Sequence, residues 1–288
     1  MPWSRLIRFL DTDRNPQFGD PQISDTTKLL SACAAGELHA IEYTGEDIFS
    51  LSQGVKLLQV KEILQILRPE DVRIIRCVGL NYMKHIEEGG RPPPPHPSIF
   101  IKPCTSIASY NEDVPIPRIA QDSLDYEGEL AIVIGRTGKN ITKETALDYI
   151  AGFATSNDVS CRHWQTDPAF AGSVPQWCFS KGFDKYAPLG PVLVSPKIVG
   201  MADNLHLQTF VNGELRQDAN TSDLLFNVPH IVSFISQGTT LERGTVIMTG
   251  TPAGVGLGMS PPRYLEDGDV VEVVIEGLGS TRNVMVFE

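Results

Sequence analysis

The sequence predicts a mainly β protein of the α+β class, with a small N-terminal domain over residues 1–70 and a larger one over 71–288. Beyond residue 70, brief apolar stretches alternate with Gly and Pro: Ile74–Val78, Leu130–Ile134, Val192–Val194, Leu207–Val211, Val246–Met248 and Val270–Ile275. Runs of this length bounded by turn residues read as strands. Asn212-Gly213 between alternating residues marks a hairpin. Helical patterns are few and short.

In the N-terminal part, short strands and turns lead to an expected amphipathic helix near residues 60–67, where Val60, Ile63, Leu64 and Leu67 fall at helical spacing and Pro69 stops it. This part lacks clustered His, Cys or paired acids, so it is assigned a supporting role. Gly79 gives a sharp exit from the strand before it, and Asn81 is placed to cap a short helix that carries His85 and Glu88 at i and i+3. A carboxylate beside an imidazole orients it and raises its basicity, as a general base requires. Gly89-Gly90-Arg91 and the prolines after it, with His96, read either as a stiff polyproline connector or as a hinged lid, and their position after His85 favours the lid.

The segment Asp125-Tyr126-Glu127-Gly128-Glu129-Leu130-Ala131-Ile132-Val133-Ile134 carries the strongest chemical signal. Side chains alternate along a strand, so Glu127 and Glu129 share a face with Ala131 and Val133, and Leu130, Ile132 and Ile134 take the other. A strand apolar on both faces is buried, and two like charges on it do not stay ionised unaided. A hard divalent cation resolves the conflict, because Mg2+ and Mn2+ take carboxylate oxygens and keep positions for substrate. Asp158, after Ala154-Thr155-Ser156-Asn157, is a candidate third ligand; taken alone it reads as a helix cap. Lys181 in Ser180-Lys181-Gly182-Phe183 is a candidate for stabilising a developing oxyanion. Thr249-Gly250-Thr251-Pro252-Ala253-Gly254-Val255-Gly256 lacks the lysine of a phosphate loop and reads as a backbone-lined pocket for a small carboxylate or carbonyl.

Composition narrows the partners. The net charge of −11 repels nucleic acid and anionic lipid, and no stretch approaches a membrane span. The 5 cysteines are scattered without a C-x-x-C pair, which argues against a disulfide framework or a thiolate zinc site and suits buried thiols in a reducing compartment. The expected setting is cytoplasmic; Arg5 and Arg8 leave a short mitochondrial presequence open, although acids appear by Asp11.

Taken as an ordered set, C-V-G-L-N-Y-x-x-H-x-x-E, D-Y-E-G-E-L-A-I-V-I-G, N-D-V-S-C-R, S-K-G-F-D and T-G-T-P-A-G-V-G resemble the fumarylacetoacetate hydrolase family across residues 74–288. The resemblance implies a mixed β-sandwich roll and a homodimer. It implies Mg2+ or Mn2+ on residues matching Glu127, Glu129 and Asp158, a pair matching His85 and Glu88, and a catalytic lysine matching Lys181. Arg162 and Gln165 match positions that contact substrate or support the metal shell, and Thr251 matches a substrate-binding threonine. The expected activity is hydrolysis of a C–C bond in a small acylpyruvate-like diketo acid, through an enolate held by the ion. Oxaloacetate tautomerisation or decarboxylation are the alternatives from one intermediate. A metal-bound, non-catalytic binding protein is the alternative of a different class.

Overall fold

The computed structural model describes residues 1–90 and 92–288; Arg91, within the expected lid, lies outside them. All six strands read from the sequence are present within a residue or two of their expected ends, and the protein is mainly β. One large mixed sheet runs through Ser52–Gln59, His39–Thr44, Pro16–Pro21, Arg5–Leu10, Val192–Val194, Ile150–Asn157, Gly128–Ile134, Val246–Met248, Ile75–Gly79 and Ser98–Lys102. A second sheet runs through Glu214–Asn220, His206–Val211, Val270–Ile275, Gly279–Phe287 and Val114–Ile116. Asn212 and Gly213, with φ of 51° and 81°, turn the hairpin between His206–Val211 and Glu214–Asn220, the left-handed pair that a two-residue turn demands.

The central strand Gly128–Ile134 is buried along its whole length. Its alternation divides two cores, as the sequence pattern requires. Leu130, Ile132 and Ile134 pack with Leu207, Ile231 and Ile275; Ala131 and Val133 pack with Trp3, Leu6, Ile75 and Met248. Each fully buried Leu, Ile or Val contributes about 1.5–3 kcal/mol, which anchors a strand that must also carry acids at its start. Strands from both sides of residue 70 share the large sheet, since Arg5–Leu10 pairs antiparallel with Val192–Val194.

The helix expected over residues 60–67 is not formed. Glu62–Leu64 is a short strand pairing antiparallel with Arg8–Leu10, and Pro69 opens a 3-10 turn, Pro69–Asp71. The helical spacing arises because this segment runs between the two cores: Val60 and Ile63 enter one, Ile66 and Leu67 the other. Burial on both sides of an extended chain mimics one stripe of a helix. The N-terminal part's helix is instead Leu29–Ala34.

Among the described residues no helix is long and apolar enough to cross a membrane. All 5 cysteines are free, and Cys178, expected to be buried, is exposed.

Candidate active site

The strand Ile75–Gly79 delivers the first cluster. Asn81 does not cap the helix Met83–Glu88, a position taken by Tyr82. Its buried amide donates to the carbonyls of Phe226 at 3.1 Å and Thr249 at 2.7 Å, and accepts from the Phe226 N–H at 2.8 Å. Tying three distant segments together satisfies more buried groups than a cap at a surface turn does. On the helix, His85 Nδ1 meets Glu88 Oε2 at 3.0 Å, and Glu88 Oε1 accepts from Gly254 N at 3.2 Å. The hydrogen bond from His85 holds the Glu88 carboxyl below its ordinary value despite partial burial. A carboxylate partner assigns the proton to Nδ1 and leaves Nε2 as the free base.

The acids come together through strand pairing. Gly128 lies opposite Asn157 and Glu129 opposite Ser156, so Asp158, one residue past its strand, reaches the start of the other. Asp158 N donates to Glu127 O at 2.8 Å, and Glu127 N to Asn157 Oδ1 at 3.0 Å. Carboxylate oxygens of Glu127, Glu129 and Asp158 all lie within 4.8 Å of one another. Asp158 caps no helix; Cys161 occupies that position for Arg162–Thr166.

Burial and like charge work together on Glu129: burial first, then Asp158 and Glu127, push its carboxyl well above its ordinary value. Burial opposes ionisation of Glu127 as well, but Lys181 and Arg162 outweigh it and hold that carboxyl down to about 2. Lys181 Nζ contacts Glu127 Oε2 and Asp158 Oδ2, each at 2.8 Å, and Ser160 Oγ at 2.6 Å. All three of its N–H bonds are thus engaged, so in this arrangement Lys181 is the counter-ion of the cluster. An oxyanion reaches it only by exchange with one of these partners.

Arg162 binds Asp125 Oδ2 through Nε at 2.8 Å, and Nη1 contacts Glu127 Oε1 at 2.6 Å and Gln165 Oε1 at 2.9 Å. Its Nη2 has no protein partner among the described residues. Thr251 Oγ1 donates to Gly128 O at 3.1 Å and accepts from Gln217 Nε2 at 2.8 Å. A cavity of about 280 Å3 opens over these groups, with His85, Glu127, Arg162, Gln165, Lys181 and Thr251 in its wall. It therefore joins His85, Glu127 of the acid cluster and the expected substrate-binding residues. Glu129 and Asp158, 1% and 0% exposed, are buried beside Glu127 and do not themselves line the cavity.

The glycine-rich segment expected to line a pocket reaches the cavity through Thr251, while its glycine amides are engaged within the protein: Gly250 N donates to Glu129 Oε2 at 2.8 Å, Gly254 N to Glu88, and Gly256 N, with Leu257 N beyond it, to Asp125 at 2.8 and 3.0 Å. Buried carboxylates need donors, and this loop supplies them. Of the segment expected as a connector or lid, Gly89 of the hinge lines the cavity, whereas among the described residues the prolines do not, and His96 stacks on Phe234. Thr166, Pro175 and Trp177 also line the cavity.

Two buried charges escaped the sequence reading. Lys102 Nζ pairs with Asp158 Oδ1 at 2.5 Å and donates to the Tyr186 carbonyl, while Asp125 holds Arg162. Four buried carboxylates (Asp125, Glu127, Glu129, Asp158) face three buried cations (Lys102, Arg162, Lys181), and Glu129 is the acid without an ion-pair partner. Oxygen donors short of one positive charge are the donor set a hard divalent cation takes.

Comparison with known proteins agrees with this chemistry. The family model described as fumarylacetoacetate (FAA) hydrolase C-terminal matches residues 74–286. A caffeoylpyruvate hydrolase from Neonothopanus nambi is 37% identical over 99% of this chain and 94% of its own length. The human mitochondrial oxaloacetate tautomerase FAHD2A is 40% identical over 79% of this chain and 70% of its own. The crystal structure of fumarylpyruvate hydrolase from Pseudomonas aeruginosa in complex with Mn2+ and pyruvate aligns with a TM-score of 0.67 at 32% identity, covering 75% of this chain and 91% of that one. The family match takes in every residue of the site described above, and with relatives this similar over most of their lengths, the resemblance read from the five motifs is borne out: the chain belongs to the fumarylacetoacetate hydrolase family.

Proposed function

We propose that this protein is a Mg2+- or Mn2+-dependent hydrolase that cleaves the C–C bond of an acylpyruvate, releasing pyruvate and a carboxylic acid. The observation that carries this reading is one cavity lined both by His85, which Glu88 orients, and by Glu127 of the acid cluster. Glu127, Glu129 and Asp158 would hold the cation, which when bound polarises the 2-oxo acid end of the substrate. Arg162, through its unpartnered Nη2, with Gln165 and Thr251, binds oxygens of that end. His85 Nε2, its other nitrogen fixed by Glu88, takes a proton from water, and the oxygen attacks the acyl carbonyl carbon. Lys181 stabilises the negative charge that develops on that carbonyl oxygen. The C–C bond then breaks, its electron pair leaves with the pyruvate carbon, and that carbon takes up a proton.

Oxaloacetate tautomerisation is the second reading, supported by the 40% identity to the human tautomerase. It requires a base to move a carbon proton and leaves the hydrolytic water idle. Residues 71–288 form the proposed catalytic domain, residues 1–70 a supporting one, and the proposed assembly is a cytoplasmic homodimer.

Metal-stripped protein refilled with Mg2+ or Mn2+ tests the reading. Ion-dependent pyruvate release from acetylpyruvate is expected; rapid enol loss from oxaloacetate, with no acylpyruvate cleaved, would assign the tautomerase instead.

The ion should also change how stability depends on pH. Glu129 has a raised folded value, so it contributes stability that is complete below its ordinary 4.5 and is lost as pH rises through the folded value. Glu127 has the opposite sign, but its contribution is lost only as pH falls toward about 2. A bound cation takes the place of the Glu129 proton. Calorimetry is therefore expected to show the Mg2+-induced rise in melting temperature growing as pH rises above the ordinary carboxylate range, the direction set by the raised Glu129 carboxyl. A rise independent of pH would contradict the assignment of Glu129 as a ligand.

A further inference from the structure

The cavity over the acid cluster does not end at its catalytic wall. Leu80, Phe100, Pro175 and Trp177 line it and also line a second cleft of about 340 Å3, which continues to the surface past Ser98, Ile99 and Cys178. Among the described residues no charged side chain lines this outer cleft. We propose that it is the acyl-arm channel of the substrate, and that it takes an uncharged, apolar acyl group, an extended alkyl chain or an aromatic ring. The assignment rests on the hydrolase reading above.

Three features show a built wall. Phe100 lies beneath the catalytic lysine, with Lys181 Nζ 5.3 Å from its ring centre, so the apolar surface begins at the reacting end. Trp177 packs edge-on against Phe100 at 5.4 Å. It also lies so close to the end of strand Ile75–Gly79 that a Cβ on Gly79 would stand 1.8 Å from its ring; the missing side chain at Gly79 is what seats the indole. Leu80 is held at φ 54°, a left-handed backbone that a branched side chain adopts only when its surroundings impose it. That conformation sets an apolar side chain, on the residue just before the buried clamp Asn81, into both parts of the cavity. A terminal carboxylate, as in a dicarboxylic substrate, would find no counter-charge among the described residues of this cleft and would lose its hydration for nothing.

Binding and turnover are to be measured separately on full-length protein in Mg2+. Calorimetric affinities for pyruvate, 2-oxobutyrate, 2-oxohexanoate and 2-oxooctanoate are expected to rise about three- to fourfold for each added methylene that the channel buries, and kcat/KM to rank hexanoylpyruvate above acetylpyruvate and above fumarylpyruvate. Cys178→Trp, at an exposed position of the mouth, should reduce the ratio of 2-oxooctanoate to pyruvate affinity. Leu80→Gly should reduce the same ratio and melt no lower than wild type, because glycine relieves the left-handed strain; a loss of discrimination is then not a loss of folding. Length-dependent binding with no acylpyruvate cleaved would uphold the channel and remove the hydrolase. Cleavage of acetylpyruvate with affinity flat in chain length, unaffected ratios in both variants, or a preference for fumarylpyruvate would overturn the channel and leave the hydrolase standing.

Discussion

His85→Ala is expected to lower kcat for acylpyruvate cleavage by about 10²–10⁴-fold, the span that a positioned general base contributes, with Mg2+ affinity unchanged. The two expectations separate because His85 shares the cavity but belongs to another element. It stands on the helix Met83–Glu88 with Glu88 as partner, whereas the acid cluster is assembled by the pairing of Gly128–Ile134 with Ile150–Asn157. Removing the imidazole leaves Glu88 with its second donor, Gly254 N, so the helix keeps its anchor to the glycine-rich loop. Steady-state kinetics and Mg2+ titration calorimetry on the same preparation check both halves. Partial rescue of kcat by added imidazole is the further expected result. Unchanged turnover would remove His85 from the mechanism, and a parallel loss of Mg2+ binding would make its role structural.

The second large effect concerns stability. Lys102→Met is expected to destabilise the metal-free protein by about 3–5 kcal/mol, the range for removing one partner of a buried pair. Lys102 is 0% exposed, contacts Asp158 and donates to the carbonyl of Tyr186, so its loss leaves the buried Asp158 carboxylate without this partner, takes one of two donors from the Tyr186 carbonyl, which keeps Val159 N at 3.1 Å, and adds to an excess of negative charge. Methionine matches the volume, which confines the change to charge and hydrogen bonding. Lys185→Met serves as control: Lys185 pairs with Glu112 at 2.9 Å but its side chain is 28% exposed, and pairs near the surface contribute about 0–1 kcal/mol. Urea unfolding of both variants checks the contrast. Equal, small effects would contradict a stabilising buried pair between Lys102 and Asp158.

What the sequence revealed and what it hid follow from distance along the chain. Glu127 and Glu129 were legible because strand periodicity is local, and His85 with Glu88 because i and i+3 meet on any helix. Asp158 was legible only as a candidate: nothing in its own segment says that Gly128 lies opposite Asn157. Lys102 and Asp125 were missed because their partners lie far away in sequence. In Ser98–Lys102 the register is also inverted from intuition: Phe100 and Lys102 point inward while Ile99 and Ile101 face out. The false helix over residues 60–67 has a related origin, since burial against two cores produces a spacing that a single stripe also produces. Asn81 was read as a cap because caps are common uses of asparagine, and its role as a clamp on Phe226 and Thr249 exists only in three dimensions.

The hydrolase reading stands or falls on where a water oxygen goes. Mg2+-refilled protein turning over acetylpyruvate in H2(18)O is to be followed by mass spectrometry of the released acid. Attack by water activated at His85 predicts acetate carrying one heavy oxygen from solvent, formed in step with pyruvate. Substrate that loses its enol absorbance while no labelled acid appears would contradict C–C hydrolysis and leave proton transfer as the chemistry of this site.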